Sequence, residues 1–112
     1  MCIFCKIANK EIPSKVVLDE EDFFAFHDTR PAAPTHVLIV PKRHIAGLAE
    51  AAPEDHAVFG RILAATKTVA EKTGIAESGF RVVVNSGANA GQSVFHLHVH
   101  VIGGRAMGWP PG

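Results

Sequence analysis

Three histidines at alternate positions, His96, His98 and His100, are the residues of this chain best suited to chemistry. In a β-strand this spacing turns them to one face and sends Leu97, Val99 and Val101 to the other. Same-face neighbours then stand about 7 Å apart, from a rise of ~3.3 Å per residue. Imidazole titrates near neutral pH and serves as base, nucleophile or metal ligand. The outward face of a strand more often carries Thr, Lys or Glu, so three histidines in a row favour function over a merely polar edge. A His-x-His pair also suits zinc. Directly ahead lie residues 85–93, Asn-Ser-Gly-Ala-Asn-Ala-Gly-Gln-Ser. Side chains this small let a phosphate approach the backbone amides, and Ser93 adds a hydroxyl. Alone such a loop is usually a turn. Joined to a histidine strand, it supplies oxyanion donors beside an imidazole nucleophile.

The elements that must position these groups are legible in outline. A short helix is expected over 4–10, ending ahead of Pro13. Strands are expected over 15–18 and 22–27, then a loop over 28–35 with Pro31 and Pro34. The apolar run in 37–41 predicts a strand covered on both faces. Phe59, Ile62, Leu63, Thr66, Val69, Ala70 and Thr73 recur at helical spacing as one core-facing stripe. Pro53 suits the first turn of that helix, Glu54 and Asp55 favour its positive end, and Gly74 stops it; Ala52 offers no side-chain cap. Strands over 80–84 and 95–102 and an irregular tail over 103–112 complete the chain. The order β-β-β-α-β-β with short connections predicts an α+β domain, an antiparallel sheet carrying helices, over residues 1–112.

Composition narrows the partners. Eleven basic and eleven acidic side chains cancel and form no basic stripe, so neither nucleic acid nor a membrane surface is an expected partner. The apolar runs are strand-sized, and residues 1–6 lack the pattern of a signal peptide. A cytoplasmic location follows as an expectation, with Cys2 and Cys5 reduced and available for metal binding or burial.

Residues 91–102, Gly-Gln-Ser-Val-Phe-His-Leu-His-Val-His-Val-Ile, resemble the signature of the histidine-triad superfamily, and more narrowly its Hint branch of histidine-triad nucleotide-binding proteins. The likeness takes in Ile3-Phe4 with Lys6-Ile7, Glu11-Ile12-Pro13, Ala25-Phe26-His27-Asp28 and Ala33-Pro34-Thr35-His36. It continues through Pro41-Lys42-Arg43-His44-Ile45, Val83-Val84-Asn85, Gly103-Gly104-Arg105 and Trp109-Pro110-Pro111-Gly112. The resemblance implies a five-stranded antiparallel sheet with one long and one short helix, continued across a homodimer.

It further implies hydrolysis of purine nucleoside phosphoramidates, AMP or GMP derivatives, through a covalent nucleotidyl-histidine. His98 would be the nucleophile, His100 and Ser93 would serve the leaving group, and His36 would support the catalytic imidazole. Asp28 would grip the ribose, Ile3, Phe4, Ile7, Phe26 and Thr29 would form the purine pocket, and Asn85 and Gln92 would hold the phosphate region. Thr29 stands where a larger aliphatic residue is common. Trp109 would reach the partner's leaving-group side.

His100, rather than the Gln of the transferase branch, favours hydrolysis. Catalysis would need no cofactor. Relatives with a similar cysteine pair imply a structural zinc held by Cys2, Cys5, His44 and His96, the alternative being two inert thiols. Remaining alternatives are a dinucleoside polyphosphate hydrolase, a nucleotide-binding interaction module with incidental turnover, and a zinc enzyme using the histidine row as ligands.

Overall fold

The computed structural model describes residues 2–112; Met1, part of the expected 1–112 domain, lies outside the described residues. The elements run α1 (Ile3–Ala8), β1 (Val16–Asp19), β2 (Phe23–His27), β3 (Thr35–Pro41), α2 (His56–Thr73), β4 (Phe80–Val83) and β5 (Val99–Gly103). Five antiparallel strands stand in the order β1-β2-β3-β5-β4. This is the expected α+β arrangement.

The alternation of β2 and β3 splits the core in two. Phe23, Ala25, Val37 and Ile39 face α2 with Leu97, Val99 and Val101. Phe24, Phe26, Leu38 and Val40 face α1, where Phe4, Ile7 and Ala8 cover them. Both faces of β3 are therefore buried, as its unbroken apolar run predicts.

Helix α2 buries Ile62, Ala65, Thr66, Val69 and Ala70. Leu63, expected in the core stripe, is instead 63% exposed, because it lies on the flank of the face that meets the sheet. Gly74 ends the helix in the left-handed conformation at φ 79°, with its N–H on the Ala70 and Glu71 carbonyls. Pro53 opens a 3-10 turn, Pro53–Asp55, rather than α2 itself. The missing cap at Ala52 is made good from three residues on: the Asp55 carboxylate accepts from Ala52 N–H at 2.9 Å and is paired with Arg43.

One boundary needs correction. The last strand begins at Val99, not at residue 95. Leu97 N–H bonds the Ile45 carbonyl at 2.6 Å instead of a ladder partner, and the His96 side chain is drawn to the 41–44 turn. His96 and His98 thus precede the strand and are buried, as the outward polar positions of a half-buried strand are not. The alternation itself holds, with Leu97, Val99 and Val101 in the α2-facing core. Smaller shifts place β3 two residues earlier, at Thr35, and end α1 at Ala8.

Candidate active site

The α1-facing side of the sheet carries the site. On β3 and β5, Leu38 is paired with His100 and His36 with Ile102, so His36 and His100 are diagonal neighbours on one face. Long side chains cross that diagonal: His36 Nε2 lies 2.9 Å from His100 Nδ1.

The hydrogen bonds fix the tautomers along this row. Ala32 N–H donates to His36 Nδ1 at 2.9 Å, so the hydrogen of neutral His36 sits on Nε2. His36 Nε2–H donates in turn to His100 Nδ1, which leaves a hydrogen on His100 Nε2. Among the described residues that buried nitrogen has no partner. Burial pushes the His36 imidazole down, against the raising effect of Asp28, whose Oδ2 is 3.5 Å away. Burial, then the neighbouring His98 and His36, lowers His100 to about 4. Both rings are neutral at pH 7, and the His100 N–H is a donor waiting for an acceptor.

His98 has the complementary arrangement. Its Nδ1–H donates to the His96 carbonyl at 2.8 Å, leaving the Nε2 lone pair free. The ring lies 4.9 Å from that of His100 and meets the Phe4 ring edge-on at 5.0 Å, 5% exposed. An imidazole lone pair beside an unpaired N–H donor is equipped to attack an electrophile and stabilise the displaced charge.

Both rings open on a cavity of about 1180 Å³, enough for a nucleotide-sized ligand. Its apolar wall includes Ile3, Phe4, Ile7 and Phe26, while Asp28, Thr29, His36 and Ser93 line its polar part. Asp28 Oδ1 is engaged by Arg30 N–H at 2.8 Å. Leu38 and Val94 also line the wall. Leu38 was legible from its place two residues after His36 on the same face of β3; Val94 carried no signal.

Three expected substrate residues are not on this wall. Gln92 accepts from Gly87 N–H and donates to the Ala46 and Val94 carbonyls, so its amide is consumed in shaping the loop. Asn85 is half-buried beside that loop. Trp109 is 84% exposed on a tail tethered by Arg81 Nη2, which donates to the Gly108 carbonyl at 2.7 Å.

Beside the nucleophile, Cys2, Cys5, His44 and His96 converge. Their ligand atoms are separated by 3.1 Å (Cys2 Sγ to Cys5 Sγ), 3.5 and 3.2 Å (Cys2 to His44 and His96), 3.4 Å each (Cys5 to both) and 3.2 Å between the two Nδ1 atoms. A tetrahedron with zinc–sulfur and zinc–nitrogen radii has edges of about 3.3–3.8 Å, close to this set. His96 Nε2–H donates to the Pro41 carbonyl at 2.8 Å, which turns the Nδ1 lone pair inward, as in a metal-ligating histidine. Burial and the adjacent Cys2 sulfur raise the Cys5 thiol, and zinc would bind the pair as thiolates with release of their protons. The donor set fits zinc.

A second group, Asp28, His36 and His100, is as tightly gathered. It is a poor metal site, because Ala32 N–H keeps the hydrogen of His36 on Nε2, the atom that would have to ligate.

The chain belongs to the HIT domain family, which it matches over residues 9–107. It is 50% identical to the 14 kDa zinc-binding protein of Zea mays, over 98% of this chain and 87% of the maize protein. It is 48% identical to the adenylylsulfatase HINT1 of Arabidopsis thaliana, over 98% of this chain and 76% of that protein. Among solved structures, the HIT family hydrolase of Legionella pneumophila superposes with a TM-score of 0.96 at 46% identity, covering both chains completely.

Proposed function

We propose that the chain hydrolyses purine nucleoside 5'-phosphoramidates, adenylated or guanylated amines, to nucleoside monophosphate and free amine. The observation that carries this reading is the pair of fixed tautomers: a free lone pair at His98 Nε2 beside an unpartnered N–H at His100 Nε2. His98 Nε2 attacks the α-phosphorus and forms a phosphorus–nitrogen bond as the bond to the leaving amine breaks. His100 Nε2–H and the Ser93 hydroxyl hydrogen-bond the charge that develops there, and the amine leaves with a proton taken from this pair of donors, which the attacking water gives back in the second step. Water then cleaves the nucleotidyl-His98 bond and frees the imidazole for another turn.

Asp28 accepts from the ribose hydroxyls, and Ile3, Phe4, Ile7, Phe26 and Thr29 flank the purine. Asn85 and the loop shaped by Gln92 border the phosphates. Chemistry runs on the imidazoles and the Ser93 hydroxyl, with no cofactor in the reaction. A zinc bound by Cys2, Cys5, His44 and His96 would be structural, because all four tetrahedral positions come from protein.

The reading includes a homodimer acting in the cytoplasm. Strand β4 is a sheet edge, and an apolar hollow of about 170 Å³ beside it is lined by Leu48, Phe59, Leu63 and Val82, of which Leu63 and Leu48 are 63% and 45% exposed. A second copy laid along β4 would cover this hollow and pair the open edge. Trp109 would then dock near the partner's cavity. The described helices include none long and apolar enough to cross a membrane.

The test is turnover of adenosine and guanosine phosphoramidates against dinucleoside polyphosphates and adenylyl sulfate, with His98→Ala as control. Phosphoramidates should give the highest kcat/KM, and the variant should bind AMP without turning over. Affinity without turnover in the unaltered protein would reduce the chain to a nucleotide-binding module.

A further inference from the structure

The thiol–imidazole cluster and the nucleophile share one residue. The His96 side chain is held at both nitrogens, Nδ1 within the cluster and Nε2–H on the Pro41 carbonyl. Its main-chain carbonyl is the acceptor for His98 Nδ1–H. Two residues after Cys2 and immediately before Cys5, Phe4 presses its ring edge against both imidazoles, at 6.1 Å from His96 and 5.0 Å from His98. In its cap position, the Cys2 sulfur accepts Cys5 N–H, so the short helix bearing Phe4 starts inside the cluster.

We infer that Cys2, Cys5 and His44 are positioning residues for catalysis, because a metal gathered by them with His96 locks the carbonyl that holds His98 with its lone pair on Nε2. A six-residue helix has little stability of its own. With the cluster unloaded, α1 keeps its apolar packing through Phe4, Ile7 and Ala8 but loses its tie through the two sulfurs to His44 and His96. Phe4 is then free to retract from His98, and the His96 residue keeps its bonds to Ile45, through the Leu97 N–H of its own peptide plane, and to Pro41, but loses the hold on Nδ1. His98 can turn or exchange its hydrogen between the two ring nitrogens, and only one of those states attacks. The metal thus sits outside the reaction yet sets the fraction of molecules ready to react. This inference rests on the proposed role of His98 as nucleophile.

The test compares full-length protein loaded with Zn²⁺, the same protein stripped by chelation, and two variants at the solvent-exposed ligand, His44→Ala and His44→Cys. Nitrogen-15 NMR of labelled histidines reads the His98 ring directly and needs no substrate. The loaded protein should show one His98 tautomer, with hydrogen on Nδ1. Stripped protein and His44→Ala, still folded by circular dichroism, should show mixed tautomers and a kcat at least tenfold lower, with AMP Kd within about twofold. His44→Cys keeps four zinc donors and should restore both the single tautomer and kcat when Zn²⁺ is supplied. His44→Ala removes an exposed ring whose packing is with His96 and touches neither apolar core cluster, so it reports even if stripping unfolds the protein. A single unchanged tautomer in folded His44→Ala would overturn the inference, as would failure of the unaltered protein to take up zinc. If no phosphoramidate is turned over by any form, the proposed function fails while the NMR comparison still decides this point.

Discussion

Replacing His36 by leucine should slow turnover far more than it weakens nucleotide binding, although His36 need not touch the reacting atoms. Its ring is 7% exposed and links two groups: it accepts Ala32 N–H and donates to His100 Nδ1, both at 2.9 Å. Leucine fills much of the volume and supplies neither bond. Ala32 is exposed, so its N–H can turn to water at little cost. His100 Nδ1, on a half-buried ring, is left without its donor, a loss of about 1–3 kcal/mol. At roughly 4 °C per kcal/mol for a domain of this size, Tm should fall by roughly 4–12 °C.

The kinetic effect comes from the tautomer. Without a donor at Nδ1, His100 carries its hydrogen on Nδ1 for part of the time, and the Nε2 donor disappears from the reacting side. Removing such a donor outright costs about 10²–10³ in kcat, so the partial loss should be roughly 10–100-fold, with KM within a few-fold. A double-mutant cycle isolates the mechanism: adding His36→Leu to His100→Ala should cause no further loss in kcat. Steady-state kinetics at a temperature where all variants stay folded gives the four numbers. Independent, multiplicative losses, or a wild-type kcat in His36→Leu, would refute the relay.

Acid should destabilise the fold between about pH 6.5 and 4. Burial lowers the His36, His96 and His100 pKa values, His100 to about 4. Their neutral forms therefore stabilise the fold fully above the unfolded-state value near 6.5, and this stabilisation is lost as protons enter the unfolded chain first. Allowing for solvent screening, His100 alone accounts for about 1–3 kcal/mol, readable by urea denaturation at pH 7 and 4.5 with zinc content followed in parallel; equal stability at the two pH values would contradict it. Protein purified without chelator should contain about one zinc per chain, and metal analysis showing none, with both thiols freely reactive, would defeat the metal assignment.

Gly103→Ala should cost about 1–3 kcal/mol, read as a lower Tm, because a Cβ there would stand 2.8 Å from Ile75 Cδ1 and 3.2 Å from the Gly79 carbonyl oxygen. Deleting residues 109–112 should change the ranking of amine leaving groups by kcat/KM more than AMP affinity. An unchanged ranking in protein still dimeric by light scattering would make the tail a passive end.

What the sequence disclosed, and what it withheld, follows the range of the interactions. Period-two alternation in 97–101 and the apolar run of 37–40 are local signals, and they correctly predicted which residues reach the core. The start of β5 was illegible because it is set by Ile45 and the 41–44 turn, some fifty residues upstream. Leu63 misled because helical spacing marks a stripe but not the width of the surface that meets it. The tautomers of His36 and His98 depend on backbone groups, Ala32 N–H and the His96 carbonyl, which no side-chain pattern advertises. Gln92 stands in the expected loop, but its amide is occupied by three backbone partners that only the folded loop brings to it. The convergence of Cys2 and Cys5 with His44 and His96, residues 39 to 94 positions apart, came from resemblance and not from spacing.

The central claim, attack by His98 on the α-phosphorus, is tested most directly by trapping the intermediate. Enzyme in excess over an adenosine phosphoramidate is quenched within a single turnover, digested under conditions that preserve phosphorus–nitrogen bonds, and read by tandem mass spectrometry. The account predicts an adenylyl group on the peptide containing His98, localised to that ring, that rises and decays with amine release preceding AMP. Release of amine and AMP at one common rate, with no adenylylated peptide and with incorporation of solvent oxygen in a single inversion at phosphorus, would contradict it.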